Sequence, residues 1–336
     1  LGYAVTILEM RDQSGGLMRW NIPAFRLPPS VLDEEINAIL DTGVEVKYNS
    51  PVTSMKALLA EAYDAVFVGS GAPKGKELDI PGRHEGNASD VIHIGIEWLG
   101  GVHFGHIEKI EPRVLIIGVG NTAMDCCRTA KRLGATDVKV IARRHRKFFK
   151  ASPWELEDAE EELVEIVENH APKRFVYEKG RLVGIEFERL EWSEAKGTPG
   201  KQTSTVLETV VIPCDSVILA IGQDNAFDWI ERDIGLEFDK KWDMPVVDKT
   251  THQSSLKQVF FGGDAAWGPA NIIWAVEHGH QAAISIHQYC QNLPVTDRPA
   301  HGMNLVTAKV GMHAWSYSNN YNYNRKYTRH TSNLLC

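Results

Sequence analysis

Long apolar runs and an excess of basic charge are both missing from this sequence of 336 residues. No stretch approaches the roughly 18 uncharged apolar residues of a membrane-spanning helix, so no membrane span is expected. Lys and Arg number 36 against 44 Asp and Glu, which gives a net charge of -8. This balance argues against nucleic acid as the main partner, because binding to its phosphates needs an excess of clustered basic side chains.

Cysteine is also scarce. The sequence contains Cys126, Cys127, Cys214, Cys290 and Cys336. Their odd number and wide spacing fit neither the disulfide framework of a secreted protein nor a zinc site, so we expect a reducing, cytoplasmic setting. Cys126 and Cys127 are neighbours in a predicted helix, and their side chains therefore point in different directions. We expect one of them in the core and the other at the surface, and not a redox pair.

The usual signatures of side-chain catalysis are absent as well. The sequence has no G-x-S-x-G, H-E-x-x-H or C-x-x-C motif, and its 13 histidines do not cluster at metal-ligand spacing. We therefore predict no catalytic side chain and no metal site.

What the sequence does contain is an alternation of strand and helix patterns over a length that suits two domains. Apolar or alternating segments predict strands at 3–9, 44–48, 63–68, 113–117, 138–142, 217–221 and 258–261. Apolar residues at helical spacing predict helices at 30–42, 121–133, 153–164 and 270–290. This order is typical of an α/β protein with parallel, doubly wound sheets.

Three local features add detail to this pattern. Segments 181–190 and 205–212 alternate like paired strands, with a hairpin loop at 195–204 between them. Ser152, Pro153 and Glu155 stand where a capping serine, a first helical proline and a capping-box glutamate would begin a helix. Segment 3–9 has the pattern of a second strand, so we expect a first strand and its loop to be missing before Leu1.

The strongest local signal lies at 113–125, where an apolar strand runs into G-x-G-x-x-A and then into a helix. Gly118 and Gly120 allow a tight turn and close approach to a pyrophosphate, and Ala123 lets the helix pack near its strand. Asn121 and Thr122 open that helix, whose N-terminal amides favour phosphate. Because the strand at 138–142 completes a βαβ unit, the motif predicts a dinucleotide site.

Basic residues follow the second strand of this unit, at Arg143, Arg144, Arg146 and Lys147. An acid at this point usually selects NAD, whereas arginine pairs with the 2′-phosphate of NADP, so NADPH is favoured over NADH. The alternative is that only one of these arginines faces the nucleotide and the others form a solvated surface. Glu9, at the end of segment 3–9, suits the ribose in the adenosine half of FAD.

Seven motifs together resemble the small (beta) subunit of NADPH-dependent glutamate synthase and related FAD/NAD(P)-binding oxidoreductase subunits. They are Glu9, Ser14 to Leu17, Asn21 to Leu27, Phe67 to Ala72, Gly118 to Asp125, Ala220 to Gln223 and Gly262 to Ala265. The resemblance covers nearly all of residues 1–290. In this family, a first strand with a G-x-G-x-x-G loop and a cysteine-rich cluster-binding region precede the position that corresponds to Leu1.

The resemblance implies two Rossmann-like domains of the glutathione-reductase type. The FAD domain would take 1–106 and 245–300, the NAD(P) domain 107–244 would be inserted into it, and 301–336 would be a tail without an assigned role. Cofactor-binding roles are implied for Glu9, Gly15, Gly16, Leu17, Arg26, Gly71, Ala72, Gly222, Gly263, Asp264, Asn271 and Ile272. Among these, Asp264 would bind the ribitol chain or phosphate of FAD, while Asn271 and Ile272 would direct helix amides at the flavin.

The function implied by the resemblance is hydride transfer between NAD(P)H and FAD, with electrons passed to or from an iron–sulfur partner subunit. Such chemistry requires no catalytic side chain, because the cofactors carry it and the protein orients them. Two alternatives stay open at this point. One is a stand-alone NAD(P)H-dependent reductase, although the missing C-x-x-C argues against disulfide reduction, and the other is a nucleotide-binding structural subunit without redox activity.

Overall fold

The computed structural model of the chain describes residues 2–194 and 202–298. These residues form two compact units. Unit 1 takes the N-terminal residues to Gly15, then Asp33–Lys74, then the described chain from Gln223 onward. Unit 2 takes Gly16–Leu32 and Gly75–Gly222. Most of the predicted hairpin loop at 195–204, the tail at 301–336 and Cys336 lie outside the described residues.

Strands and helices alternate along most of the described chain. The strands are β1 (Thr6–Leu8), β2 (Glu45–Lys47), β3 (Val66–Val68), β4 (Lys74–Gly75), β5 (Ile92–Ile94), β6 (Arg113–Ile117), β7 (Asp137–Ile141), β8 (Glu165–Val167), β9 (His170–Glu178), β10 (Arg181–Glu194), β11 (Gln202–Pro213), β12 (Ser216–Leu219), β13 (Gln223–Asp224) and β14 (Val259–Phe261). The helices are α1 (Gly16–Trp20), α2 (Pro29–Leu40), α3 (Met55–Leu59), α4 (Ala88–Val91), α5 (Gly95–His103), α6 (Asn121–Arg132), α7 (Pro153–Glu161), α8 (Asp264–Trp267) and α9 (Ile272–Cys290), with a 3-10 turn at Arg146–Phe148. None of these helices is long and apolar enough to cross a bilayer.

Unit 2 is built on a parallel five-stranded sheet in the order β5-β12-β6-β7-β8. Its central strand β6 is buried on both faces. Val114 and Ile116 belong to one apolar cluster, which includes residues of α5, α6 and α7. Leu115 and Ile117 belong to a second cluster. Two buried faces explain why the sequence of this strand is continuously apolar and not alternating.

The second cluster of unit 2 is completed by an antiparallel three-stranded sheet in the order β11-β10-β9. Phe175 of β9 and Ile185 and Phe187 of β10 are buried in it. The predicted strands at 181–190 and 205–212 are confirmed as β10 and β11, whereas β9 was not predicted. Because this sheet packs its apolar side chains against the same cluster as β6 and β12, it fixes β10 relative to the parallel sheet.

Unit 1 contains two parallel strand pairs, β1 with β2 and β3 with β14. A third core cluster fills this unit, in which Val66, Val68 and Phe261 from the second pair are joined by Met55 and Leu58 of α3. Leu8 of β1 packs against the same cluster. The short strands β4 and β13 pair with each other.

The units divide the chain at other points than the predicted domain boundaries of 106/107 and 244/245. The long segment of unit 2 begins at Gly75, upstream of the predicted boundary, because β5 (Ile92–Ile94) joins the parallel sheet of this unit. Unit 1 resumes at Gln223, because Phe227 and Ile230 are buried in its core cluster. Gly16–Leu32 also belongs to unit 2, although its neighbours on both sides belong to unit 1. Which nucleotide each unit binds stays a prediction.

One expectation about α6 is wrong. Cys126 and Cys127 are both buried, with no exposed surface, whereas one was expected at the surface. Helix α6 lies in the first core cluster together with residues of β6, α5 and α7, so most of its circumference is covered. Burial raises the pKa of both thiols, which leaves neither as a reactive thiolate.

Candidate nucleotide-binding sites

The turn between β6 and α6 has the geometry that the glycine motif predicts. Gly118 lies at φ 119°, and a Cβ atom added to it would stand 2.2 Å from the carbonyl oxygen of Ala220. Only glycine fits there, because any side chain would collide with the backbone that follows β12. In contrast, a Cβ atom on Gly120 would meet nothing within 4 Å. Gly120 thus leaves open space in front of the helix, where a pyrophosphate could approach.

The N-terminus of α6 is suited to an anion. Gly120 is its N-cap and forms no side-chain cap hydrogen bond, and the first turn carries no acidic residue. The first-turn amides of a helix lack partners within the helix and carry partial positive charge. Asn121 and Thr122 stand in this turn, and the buried Ala123 packs into the first core cluster. These residues fit the pyrophosphate of a dinucleotide.

A loop after β7 folds back onto this turn. The backbone N–H of Ala151 donates to the carbonyl oxygen of Val119 at 3.1 Å. The N–H of Ser152 donates to Oδ1 of Asn121 at 2.9 Å. Ser152 is the N-cap of α7 and Pro153 its first residue, as predicted, but Ser152 makes no side-chain cap hydrogen bond. The C-terminal end of the loop 143–152 is therefore held beside the glycine turn.

The arginines of this loop differ in what they contact. Arg146 is committed to the protein, because its guanidinium pairs with Glu160, with Nη2 2.8 Å from Oε2. Arg143 is exposed, and no carboxylate within 2–194 and 202–298 pairs with it. Arg144 lies over the ring of Phe148, with 5.5 Å from Cζ to the ring centroid. Arg143 and Arg144 thus remain available to a 2′-phosphate, whereas Arg146 does not.

Arg26 lies in a buried ionic cluster that the sequence did not reveal. It donates two hydrogen bonds to the carboxylate of Asp125, at 2.7 and 2.9 Å, and its other terminal nitrogen is 2.9 Å from Glu155. Glu155 also pairs with Arg128, which is 1% exposed. The glutamate predicted to cap α7 is therefore 5% exposed and binds arginines instead. Arg26 was predicted to bind a cofactor, and its contacts here are to α6 and α7.

The cluster extends along α6. Arg128 pairs with Asp158 at 3.1 Å and with Glu162 at 3.0 Å, and Arg132 pairs with Glu162 at 2.6 Å. The ring of Phe25 covers Arg132 at 3.8 Å. Burial raises the pKa of Asp125 to about 6 in spite of the nearby Arg26 and Arg128, while Glu155 raises it further. The sequence signal that could have indicated this cluster is a pair of charged residues on the core-facing side of α6, because Asp125 and Arg128 are both buried within that helix.

In unit 1, two predicted FAD-binding segments lie at the same edge of a strand pair. Gly71 and Ala72 follow β3, while Gly263 and Asp264 follow β14, and these strands are parallel and paired. The carboxyl ends of parallel strands meet at one edge of a sheet, which is where such folds bind ligands. Gly71 and Gly263 have φ of 71° and 60°, so both turns use conformations that favour glycine.

Asp264 is held in place at this edge. Its Oδ1 accepts a hydrogen bond from the N–H of Ala270 at 3.0 Å. Burial raises the pKa of its carboxyl group above the usual range. The N–H of Gly263 donates to Nδ1 of His278 on α9 at 3.1 Å. A fixed, half-buried carboxylate next to a glycine turn fits the hydroxyl groups of a ribitol chain.

The two residues predicted at the start of α9 differ in their contacts. Asn271 is the N-cap, and its Oδ1 accepts a hydrogen bond from the N–H of Trp274 at 3.2 Å. One of the first-turn amides is therefore already hydrogen-bonded to this side chain. Ile272 is 45% exposed. The dipole of this helix of 19 residues still favours negative charge at its N-terminus.

The remaining predicted residues are distributed over both units. Glu9 follows β1, and its Oε1 accepts a hydrogen bond from the N–H of Arg11 at 2.9 Å. Gly15 of unit 1 has φ 127°, whereas Gly16 and Leu17 belong to α1 of unit 2. Gly222, at φ 122°, ends unit 2 and accepts a hydrogen bond from the N–H of Lys76 at 3.0 Å. The contacts of these residues do not by themselves identify a ligand.

Metal and disulfide chemistry find no support in the described residues. No group of three or more His, Cys, Asp or Glu side chains could hold a metal ion there. Cys126, Cys127, Cys214 and Cys290 are free thiols. Burial raises the pKa of Cys214 to about 12 and also raises that of Cys290.

Comparisons with known proteins agree with this architecture. The family model described as Pyridine nucleotide-disulphide oxidoreductase matches residues 23–279. The chain is 33% identical over 317 residues to the NADP(+)-dependent formate dehydrogenase subunit beta of Moorella thermoacetica, covering 93% of this chain and 44% of that protein. It is also 33% identical over 306 residues to a putative glutamate synthase (NADPH) small chain of Cereibacter sphaeroides, covering 86% of this chain and 71% of that protein. The chain spans about half the length of several curated relatives that it matches.

Among solved structures, Mycobacterium tuberculosis FprA in complex with NADPH has a TM-score of 0.68 at 17% identity, covering 86% of this chain and 78% of that one. A likeness at this identity concerns the fold alone, and together with the family match it confirms the predicted α/β fold class of Rossmann-like domains. The family match and the two relatives confirm the resemblance to glutamate synthase small subunits. The chain belongs to the pyridine nucleotide-disulphide oxidoreductase family.

Proposed function

We propose that this chain is the nucleotide-binding part of a flavoprotein subunit that moves a hydride between NADPH and FAD and exchanges electrons with an iron–sulfur partner subunit. When bound, the two cofactors supply the redox chemistry. The residues of the chain bind the two nucleotides, orient them and keep the sites closed to unwanted reactions. We also propose a cytoplasmic location, because the odd number and wide spacing of the five cysteines do not fit the disulfide framework of a secreted protein.

The observation that carries the proposal is the site at the carboxyl edge of the five-stranded sheet. Gly118 packs against the backbone at Ala220, Gly120 leaves open space, and α6 offers its N-terminus without a capping side chain. Arg143 and Arg144 follow the adjacent strand β7 and have no carboxylate partner among the described residues. A dinucleotide phosphate turn with two free arginines next to it fits NADPH better than NADH.

Support for FAD comes from unit 1. Gly71, Ala72, Gly263 and Asp264 meet at one edge of the β3–β14 pair, and Asp264 is fixed by the N–H of Ala270. Glu9 follows β1 and is half-buried. Its carboxylate would accept a hydrogen bond from a ribose hydroxyl. Nothing in this arrangement calls for a protein acid or base, and the free thiols have raised pKa values. Disulfide reduction by this chain is therefore disfavoured.

The partner is proposed from the relatives. The names of those relatives describe subunits of an NADP(+)-dependent formate dehydrogenase and of an NADPH glutamate synthase. A shared nucleotide-binding subunit serving enzymes with different substrates suits an electron-transfer role. The iron–sulfur partner, its substrate and the direction of electron flow belong to the proposal.

The test uses the full-length protein that contains this chain, purified with the proteins that accompany it. We expect flavin absorption at about 450 nm that is bleached by NADPH in the absence of oxygen, and iron in a co-purifying subunit. Arg143→Ala with Arg144→Ala should lower the preference for NADPH over NADH while leaving flavin content unchanged. Trp242→Ala, an exposed substitution in unit 1, is the matched control.

Each result separates one element of the proposal. A colourless protein with no flavin would overturn the redox function and leave a structural nucleotide-binding subunit. Flavin without a co-purifying iron-containing subunit, together with steady oxidation of NADPH by quinones, would favour a stand-alone reductase. An unchanged coenzyme preference in the double arginine variant would overturn the assignment of NADPH.

A further inference from the structure

Trp192 contacts the loop 143–152 from outside the βαβ unit. It lies near the end of β10, opposite Ser204 of β11. Its indole Nε1–H donates a hydrogen bond to the carbonyl oxygen of Arg143 at 3.2 Å. Its ring lies under the guanidinium of Arg144, with 5.0 Å between Cζ and the ring centroid. A single side chain thus holds the backbone of one arginine and the side chain of the next.

The stacking leaves the charge of Arg144 usable. An aromatic ring attracts the face of a guanidinium, while its N–H groups lie in the plane and remain free to bind a phosphate. Phe148 adds a second ring at 5.5 Å. A long arginine side chain loses rotamer entropy when it binds an anion, so a ring that already restricts it lowers the cost of binding.

The support beneath Trp192 is rigid. The N–H of His170 donates to the carbonyl oxygen of Ala142 at 2.9 Å, immediately before Arg143. The N–H of Leu190 donates to the carbonyl oxygen of Asn169 at 2.8 Å. Leu190 is buried at 6% exposure, two residues before Trp192. These two hydrogen bonds connect β10, through Asn169 and His170, to the residue that follows β7. The hydrogen bond from Trp192 to Arg143 is a third link between the same two segments.

We infer that Trp192 is a positioning residue for coenzyme selection, which holds Arg143 and Arg144 in place to receive the 2′-phosphate of NADP(H). The inference rests on the proposed binding of NADPH by unit 2. The hydrogen bond and the ring contact of Trp192 are both with the two arginines that follow β7. Its contribution therefore concerns the 2′-phosphate and not the rest of the nucleotide.

The experiment measures binding of two probes to the full-length protein by calorimetry. One probe is 2′,5′-ADP (adenosine 2′,5′-bisphosphate), and the other is 5′-AMP, which differs from it only in lacking the 2′-phosphate. We expect Trp192→Ala to weaken 2′,5′-ADP binding about tenfold and to leave 5′-AMP binding unchanged. Trp192→Phe keeps a ring under Arg144 but removes the N–H donor. Its affinity for 2′,5′-ADP should therefore lie between that of the unaltered protein and that of Trp192→Ala.

The control is Trp242→Ala, because Trp242 is 67% exposed and carries Lys241 over its ring at 4.7 Å in the same kind of contact. It should bind both probes like the unaltered protein. The phenylalanine variant provides the measurement if the alanine variant does not fold. In steady state, the KM for NADPH should rise with Trp192→Ala while the KM for NADH and both kcat values stay constant.

The outcomes distinguish this inference from the proposed function. If the unaltered protein binds 2′,5′-ADP no more tightly than 5′-AMP, the assignment of NADPH fails, and this inference fails with it. If Arg143→Ala weakens 2′,5′-ADP binding but neither Trp192 variant does, NADPH binding stands and Trp192 has no part in it. Equal weakening of both probes by Trp192→Ala would show a general structural effect and overturn the inference.

Discussion

The two units bury their strands to different extents. In the parallel sheet of unit 2, four residues of β6 and all four of β12 are buried. In unit 1, the central residue of β3, Phe67, is 42% exposed, and Ile7 of β1 is 40% exposed. Several residues at the start of α9 are exposed as well, among them Ile273 at 77% and Trp274 at 56%.

This difference separates what each unit needs in order to be stable. Unit 2 has its apolar strands covered on both faces and a buried ionic cluster between α6 and α7. Unit 1 buries Val66, Val68 and Phe261 on one side of the β3–β14 pair, whereas on the other side Phe260 is buried and its partner Phe67 stays accessible. We therefore expect single substitutions in the buried part of unit 2 to cost far more stability than substitutions of the exposed apolar residues of unit 1.

The largest loss is expected from Arg128→Met in unit 2. This substitution removes the buried positive charge from between Glu155, Asp158 and Glu162, so that three carboxylates lose a shared counter-charge, although Glu155 keeps Arg26 and Glu162 keeps Arg132. Breaking a buried pair in this way costs about 3–5 kcal/mol in the free energy of unfolding. Urea unfolding combined with amide hydrogen exchange should show the loss of protection in α6 and β6.

The matched control is Arg132→Met on the same helix. Its side chain is 31% exposed and shares Glu162 with Arg128. A partly exposed pair contributes at most about 1 kcal/mol. Equal destabilisation by the two variants would contradict the importance assigned to the buried cluster.

Gly118→Ala should have the next largest effect on stability. The new Cβ atom would stand 2.2 Å from the carbonyl oxygen of Ala220, at a φ of 119° that L residues rarely adopt. Strain and overpacking together should cost about 3 kcal/mol, measured by urea unfolding.

Gly120→Ala provides the contrast two residues further on. With nothing within 4 Å of the new Cβ atom, the free energy of unfolding should fall by only about 1 kcal/mol, which is the cost of alanine at a helix N-cap. NADPH binding should nevertheless weaken about tenfold, because the methyl group would stand where the pyrophosphate approaches. A stable Gly118→Ala variant, or unchanged NADPH affinity in Gly120→Ala, would disagree with the turn described here.

The smallest effect is expected in unit 1, from Phe67→Ala. The ring is 42% exposed and lies against Gly69 and Gly262, so its removal should cost less than about 1 kcal/mol. Phe261→Ala on the paired strand β14 is the control, since Phe261 has no exposed surface and its truncation should cost about 3–5 kcal/mol. Comparable losses in the two variants would mean that both faces of this strand pair are equally covered in solution.

How much of the molecule the sequence predicts depends on the range of the interactions. The β6–α6–β7 unit was predicted almost to the residue, because apolar periodicity and the glycine turn are local. The contacts that organise the site are not local. Arg26 meets Asp125 across 99 positions, and Trp192 meets Arg143 across 49. No periodicity in the sequence connects such residues.

The errors have the same origin. Either Cys126 or Cys127 was expected to be on the surface because a helix usually has one exposed side, but α6 packs within a cluster that includes both neighbouring helices and the sheet. Glu155 was assigned to a capping box because its spacing from Ser152 fits one, but two arginines attract its carboxylate more strongly. Local spacing shows what a residue is able to do, and tertiary partners determine which of these possibilities is used.

The path of the chain between the units has a practical consequence. Because Gly16–Leu32 belongs to unit 2, the backbone changes unit after Gly15, Leu32, Lys74 and Gly222. Neither unit is therefore one continuous stretch of sequence, and no pair of cloning boundaries isolates unit 2 together with the arginine that closes its ionic cluster. A fragment that begins at Gly75 would keep the glycine turn but lose Arg26, with Asp125 left without that partner. The subunit is thus best expressed and studied as an undivided chain.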